Sequence, residues 1–203
     1  MNVLAIVASP RKKGLVSAMS QRVLDGAADN GHQVELVNLY DYNLEYCRGC
    51  WACRKEGHCI LKDDFNALYD KMAAAETIAL AAPVYWSNVP GIMKTFFDRH
   101  CGSHRDWPRA KPIPFFGVDM PPVREEVRGK RAVLILACTV PSPLDRVLLG
   151  DSRDAEQAMK NYTRMLEMKI VDKLIFTDTL RPESVAKRKD RFLEKAYRIG
   201  KQL

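Results

Sequence analysis

Three stretches of this chain hold residue types that can do chemistry at the spacing they have. The first is Ser9-Pro10-Arg11-Lys12-Lys13-Gly14-Leu15-Val16-Ser17, which combines hydroxyls, three cations and a glycine. Such a loop suits a phosphate: a helix N-terminus presents unpaired N–H groups and a positive dipole end to an anion, and glycine lets the backbone come close. Neither the dinucleotide pattern G-x-G-x-x-G nor the triphosphate pattern G-x-x-x-x-G-K-[ST] is present in it. The plain competing reading is a solvated turn with incidental lysines.

The second stretch, Pro83-Val84-Tyr85-Trp86-Ser87-Asn88-Val89-Pro90-Gly91, follows an apolar run with two large aromatics, two prolines and small polar residues. Aromatics here can flank a flat heterocycle while backbone N–H groups and the Ser87 and Asn88 side chains bond its edge. Taken alone, Tyr85 and Trp86 read first as packing residues, and their position beside the first loop turns the reading toward a ligand.

The third is C-x2-C-x2-C-x5-C at Cys47, Cys50, Cys53 and Cys59. Four thiolates so close can surround one cluster, and C-x2-C-x2-C spacing recurs in [4Fe–4S] loops. Zinc also accepts four cysteines, but usually from two C-x2-C knuckles set further apart. Spacing leaves a cluster, a zinc ion and unmetallated thiols open, the cluster first. His58 reads as a neighbour, and Cys138 as a small buried thiol in an apolar strand. A second site at His100, Cys101 and His104 is a weak candidate.

The elements that must position these stretches follow from periodicity. Val3–Ala8, Gln33–Leu39, Thr77–Ala82, Ala132–Thr139 and Lys173–Thr177 read as strands; Leu15–Ala28, Phe65–Ala75, Ala155–Met168 and Ser184–Leu203 read as helices, and another begins at Gly91–Phe97. Strands alternating with helices predict a doubly wound parallel sheet covered on both faces, in the order 2-1-3-4-5. Ligands bind such a sheet beyond the carboxyl ends of its strands, where the order reverses between strands 1 and 3. The loops beginning near Ser9, Pro83 and Thr139 meet there. One loop is fitted for phosphate and another for an aromatic ring, which together describe flavin mononucleotide, FMN.

At 203 residues the chain suits one domain, 1–203, with a Cys-rich loop at 47–59 and a long Pro-rich insertion at 100–129. No low-complexity run or solenoid repeat occurs, which excludes disorder as the main theme. The formal net charge is +7, and much of the excess lies between Arg181 and Lys201, where cations alternate with Glu183, Asp190 and Glu194. That is a solvated helix face, so no nucleic-acid role is expected. The first eight residues read as a strand with no charged leader, and the least charged stretch, Met72–Met93, is broken by Glu76, Pro83 and Pro90. The expectation is a cytoplasmic protein without a membrane span. Cysteines clustered in this way differ from a secreted disulfide framework.

Together these residues resemble the NADPH-dependent FMN reductase family and, within it, the iron–sulfur flavoproteins. The likeness lies in S-P-R-K at Ser9–Lys12, the four cysteines followed by Lys62-Asp63-Asp64, and P-V-Y-W…P-G-x-M-K-x-F-F-D-R from Pro83 to Arg99. The resemblance implies a flavodoxin-like three-layer α/β sandwich. It implies FMN phosphate at Ser9, Arg11, Lys12 and Ser17, and the isoalloxazine against Pro83, Val84, Tyr85, Trp86, Ser87 and Asn88. It also implies [4Fe–4S] ligation by Cys47, Cys50, Cys53 and Cys59, and a homo-oligomer, dimer or tetramer, with the cluster near a flavin. Where the family commonly reads G-N-T or G-N-S, this chain has Gly14-Leu15-Val16, with the hydroxyl displaced to Ser17; Thr139–Pro143 lacks the glycines often found beside the flavin.

The expected activity is FMN-dependent electron transfer from a donor such as ferredoxin, through the cluster and the flavin, to a small-molecule acceptor, with no side chain needed as acid or base. Two alternatives remain: a cluster-free reductase of flavins or quinones that takes hydride from NAD(P)H, and a non-enzymatic scaffold whose Cys-rich loop holds zinc.

Overall fold

The computed structural model describes residues 1–203, apart from the side chain of Arg146. Five parallel strands form the central sheet: β1 (Asn2–Val7), β2 (Gln33–Asn38), β3 (Thr77–Pro83), β6 (Arg131–Ala137) and β7 (Lys169–Phe176), in the order β2-β1-β3-β6-β7. With the hairpin strands β4 (Lys111–Ile113) and β5 (Val118–Met120) set apart, this is the expected 2-1-3-4-5 topology. The inner strands read as unbroken apolar runs because both faces are covered: Leu4 to Val7, Ile78 to Ala82 and Val133 to Leu136 are buried. The outer strands β2 and β7 carry the exposed and charged positions.

Helices α1 (Leu15–Ala28) and α7 (Pro182–Lys201) cover one face over Val3, Val7, Met19, Val23, Phe176 and Ile199. They meet through small residues. A Cβ on Gly26 would stand 2.1 Å from the Tyr197 carbonyl oxygen, and one on Gly200 would stand 2.0 Å from that of Val23. On the other face α3 (Phe65–Ala74), α4 (Gly91–Ser103) and α6 (Asp151–Met165) bury Phe65, Leu68, Met72, Met93, Phe96 and Met159. Short α2 (Cys53–Glu56) lies in the Cys-rich loop, and α5 (Ser142–Leu144) runs into a π turn over Asp145–Leu149.

Two elements extend beyond the sequence expectation. Helix α4 continues past Phe97 to Ser103, because Arg99 and His100 are buried with partners and do not end the helix as free polar groups. The rest of 100–129 contains the 3₁₀ turn Trp107–Arg109 and the β4–β5 hairpin, whose tip exposes Phe115 and Phe116. Among the described residues, no helix is long and apolar enough to cross a membrane.

Candidate functional site

Register places three loops side by side. Val7 pairs with Ala81, Pro83 with Ala137 and Ala137 with Phe176, so β1, β3 and β6 end together at the sheet's carboxyl edge. The Ala8 amide donates to the Ala81 carbonyl at 2.8 Å, which ties the first loop to the end of β3.

The first loop is a tight turn into α1. The Gly14 amide donates to the Arg11 carbonyl at 2.8 Å, and a Cβ on Gly14 would stand 3.0 Å from Arg11 Cβ and oxygen. Ser9 is buried, and its hydroxyl accepts from the Arg11 amide at 3.3 Å. Ser17 Oγ donates to the Arg11 carbonyl at 3.2 Å. Asn38 Nδ2 holds the Ser9 carbonyl at 2.8 Å from the end of β2. No side chain caps α1, so its first-turn amides remain available to an anion. Lys12 is turned aside into an ion pair with Asp41 at 2.6 Å, whereas Arg11 is exposed, and among the described residues it has no carboxylate partner. The two hydroxyls expected on the phosphate thus shape the loop in this structure, while the amides and Arg11 face outward.

The second loop is strained. Tyr85 and Asn88 exchange backbone hydrogen bonds at 2.8 and 3.0 Å across a two-residue turn, with Trp86 at φ 50° and Ser87 at φ 57°. Left-handed backbone suits Gly or Asn at a turn of this kind; for other residues it costs about 1–2 kcal/mol each. Ser87 Oγ donates to the Asp151 carboxylate, which helps to hold the turn. Trp86 is fully exposed and Tyr85 about half so (47%), with Pro83 and Val84 half-buried behind them. Burial first, and then nearby Tyr85, push the Tyr40 hydroxyl upward, so the end of β2 reaches this loop as well. Two unpacked aromatics on a strained turn beside a free helix N-terminus fit a flat ring with a phosphate tail.

Behind them lies a feature that sequence alone did not single out. Cys138 follows β6, is buried, and lies within 4.8 Å of Asp145 and Asp151 oxygens. Burial first, and then these carboxylates, push its thiol up. Asp145 also binds the Ser152 amide at 3.0 Å and so fixes the start of α6.

All four cysteines of the run line one pocket, together with Trp51, Arg99, Cys101 and Gly102. Burial first, then the thiols of Cys59, Cys50 and Cys47, push the Cys53 thiol up. Among the described residues, the one set of three Cys, His or acidic ligand atoms within 4.8 Å of one another is Cys138, Asp145 and Asp151. Among the described residues, no three sulfurs of the loop lie within 4.8 Å of one another. Four cysteine thiols are the donor set that a [4Fe–4S] cluster takes, and one that zinc also accepts. Gly102 makes the room, since a Cβ there would stand 2.5 Å from Cys53 Sγ. Arg54 lies 3.9 Å over Trp51 and 4.0 Å over Trp107, clamping α2 against the segment after α4.

The cysteine loop is anchored at both ends by Asp63. Its carboxylate accepts from the Glu45 amide at 2.8 Å and the Phe65 amide at 3.2 Å, and it pairs with Arg99. Burial alone would raise this carboxyl, but the hydrogen bonds from Arg99 and the two amides outweigh it and hold it below the ordinary carboxylate range. Neither Arg99 nor Gly102 was given a role from the sequence; the F-F-D-R end of the Pro83–Arg99 pattern was the available signal.

Among the described residues, the ligand atoms of His100, Cys101 and His104 do not gather within 4.8 Å of one another. His100 Nδ1 donates to the Phe96 carbonyl at 2.8 Å and His104 Nδ1 to that of His100, each bond running back along α4 into the core, while Cys101 is exposed. His58 Nδ1 bonds the Glu56 carbonyl at 2.9 Å, a local contact.

Residues 1–144 match the model of the NADPH-dependent FMN reductase family. An iron-sulfur flavoprotein of Archaeoglobus fulgidus is 35% identical over 134 residues, 64% of this chain and 60% of that protein. One from Methanosarcina thermophila is 35% identical over 99 residues, 49% of this chain and 52% of that protein. The matched regions thus span about half to three fifths of these relatives' lengths. Among solved structures, an NAD(P)H:quinone oxidoreductase from Methanothermobacter marburgensis superposes with a TM-score of 0.75 at 18% identity, over 100% of this chain and 95% of that one. An FMN-dependent NADH-azoreductase from Bacillus anthracis in complex with FMN gives 0.65 at 15% identity, over 98% and 99%.

Proposed function

Since the chain belongs to the NADPH-dependent FMN reductase family, we propose that it is an FMN-dependent oxidoreductase that also carries a [4Fe–4S] cluster on Cys47, Cys50, Cys53 and Cys59. On this reading it moves electrons from a donor protein, such as ferredoxin, to a small-molecule acceptor. The observation that carries the reading is the convergence of four thiols on one pocket, in a chain whose switch point offers a free helix N-terminus. The names of the curated relatives support it.

When bound, FMN supplies one- and two-electron chemistry and the cluster supplies single electrons. The protein's own part is to bind and orient. Arg11 and the first-turn amides of α1 hold the phosphate, with Ser9, Ser17 and Asn38 fixing the loop and Lys12 at its rim. Pro83, Val84, Tyr85 and Trp86 bound the ring, while the turn holding Ser87 and Asn88 offers it polar edges. The net charge of +7 suits an acidic donor protein. Six free cysteines suit a reducing cytoplasm, and the exposed apolar side chains Trp86, Phe115 and Phe116 suit a homo-oligomer.

A second reading, a reductase fed directly by NAD(P)H without a cluster, draws on one observation. The flavin loops run into the Gly91 end of α4, whereas the cysteine pocket includes Cys101 near its other end, ten residues or about 15 Å away. On this reading the flavin side needs none of the cysteines. Oxygen-free purification, with iron, acid-labile sulfide and FMN quantified on the same sample, separates the two. About four iron and four sulfide per chain with one FMN supports the first reading. Flavin without iron, bleached rapidly by NADPH, supports the second.

A further inference from the structure

We propose that Arg99 is a positioning residue for Cys59, and that its hydrogen bond to the sulfur raises the reduction potential of the metal–sulfur group held there; this rests on the [4Fe–4S] reading. The side chains of Arg99 and Asp63 are both wholly buried and form an ion pair. Arg99 Nη1 donates to Asp63 and to the Glu45 carbonyl at 2.7 Å, while Nη2 donates to Asp63 Oδ1 at 2.9 Å and to Cys59 Sγ at 3.2 Å. The guanidinium carbon lies 4.6 Å over the Phe65 ring. Arg99 Nε has no partner among the described residues.

A buried ion pair is a weak source of stability, because desolvating two charges offsets most of their attraction. This pair does something an apolar pair could not: it aims a charged N–H at a sulfur. Asp63 orients the guanidinium plane, and its own orientation is fixed by the amides of Glu45 and Phe65, on either side of the cysteine run. Asn66 Nδ2 adds a bond to the Cys59 carbonyl at 2.8 Å, so both ends of this ligand are held. A hydrogen bond to a ligating thiolate withdraws charge from it and favours the more negative, reduced state, which shifts the potential upward. Among the described residues, no other side-chain N–H donates to the sulfur of Cys47, Cys50, Cys53 or Cys59, so the Cys59 sulfur is electronically distinct from the other three.

The double variant Asp63→Asn/Arg99→Gln removes both charges and keeps a bonded polar pair; Arg99→Lys keeps the charge but not the fork, and provides a second protein should the double variant not fold. Iron content, and the midpoint potentials of the iron chromophore and of FMN, are measured on wild type and variants after anaerobic reconstitution. The expected result is a negative shift of the iron midpoint in the double variant, a smaller one in Arg99→Lys, and an unmoved FMN midpoint. Equal iron content with an unmoved iron midpoint, or equal shifts of both midpoints, would overturn the role of Arg99 while leaving the cluster reading intact. Wild-type protein that takes up no iron would overturn both.

Discussion

Gly102 on α4 faces Cys53 so closely that a single added carbon would stand 2.5 Å from the sulfur. Alanine in a helix interior normally gains about 1 kcal/mol over glycine, but overpacking a filled site costs about 1–3 kcal/mol. The second effect wins here because Gly102 is buried and the added carbon would also meet the Trp51 ring at 3.7 Å. Gly102→Ala is expected to fold with a slightly lower melting temperature and to bind less than half the wild-type iron, read by anaerobic reconstitution and metal analysis.

Arg11 is expected to distinguish the phosphate from the ring. A charge-assisted hydrogen bond contributes about 1.5–3 kcal/mol, so Arg11→Gln should weaken FMN binding by about 10- to 100-fold. Riboflavin, which has no phosphate, should bind wild type and variant equally. Titration of both ligands by flavin fluorescence tests this; equal losses for the two would remove Arg11 from the phosphate site.

The turn at Trp86 should trade stability for binding. Asn tolerates left-handed backbone better than Trp, and the fully exposed Trp86 ring has no packing to lose. Trp86→Asn is therefore expected to raise the stability of the flavin-free protein by about 0.5–1 kcal/mol while weakening flavin affinity. Urea unfolding paired with a flavin titration measures both, and lowered stability would show that the turn carries no strain.

His100 should make the fold acid-sensitive well above the carboxylate range. Buried among Phe65, Tyr69, Phe96 and Tyr162, its imidazole is pushed down from 6.5 to about 3, by burial first and then by neighbouring His104 and Arg99, against the Phe96 bond. The unfolded chain binds a proton below about pH 6.5 and the folded one does not until about 3, so stability is full above 6.5 and falls as pH drops through that window. The loss amounts to about 2–3 kcal/mol between pH 6.5 and 4.5. Burial moves His104 in the same direction. Chemical unfolding across this range should show the slope, and His100→Gln should flatten it.

Much of the scaffold was legible because parallel inner strands are apolar without interruption: Val3–Ala8 and Thr77–Ala82 sit within a residue or two of β1 and β3, and the α1 bounds agree at both ends. Helix α4 was legible only to Phe97, since Asp98-Arg99-His100 reads as a polar break until the partners of Arg99 and His100 are seen in space. The four cysteines announced themselves by spacing. Their supports did not, because Arg99 meets Asp63 and Cys59 across 36 and 40 residues of chain, and no local periodicity encodes such a contact. The β4–β5 hairpin was invisible for another reason: three-residue strands with exposed side chains leave no alternating pattern.

Helix α4 acts as a ruler with a fixed phase. At about 100° per residue, inserting one residue between Met93 and Phe97 would leave the flavin-side entry at Gly91 untouched. It would swing Arg99 and Gly102 a quarter-turn away from Cys59 and Cys53, and carry His100 out from among its aromatics. A change of length in the surface hairpin leaves this phase alone, whereas a change within α4 shifts it.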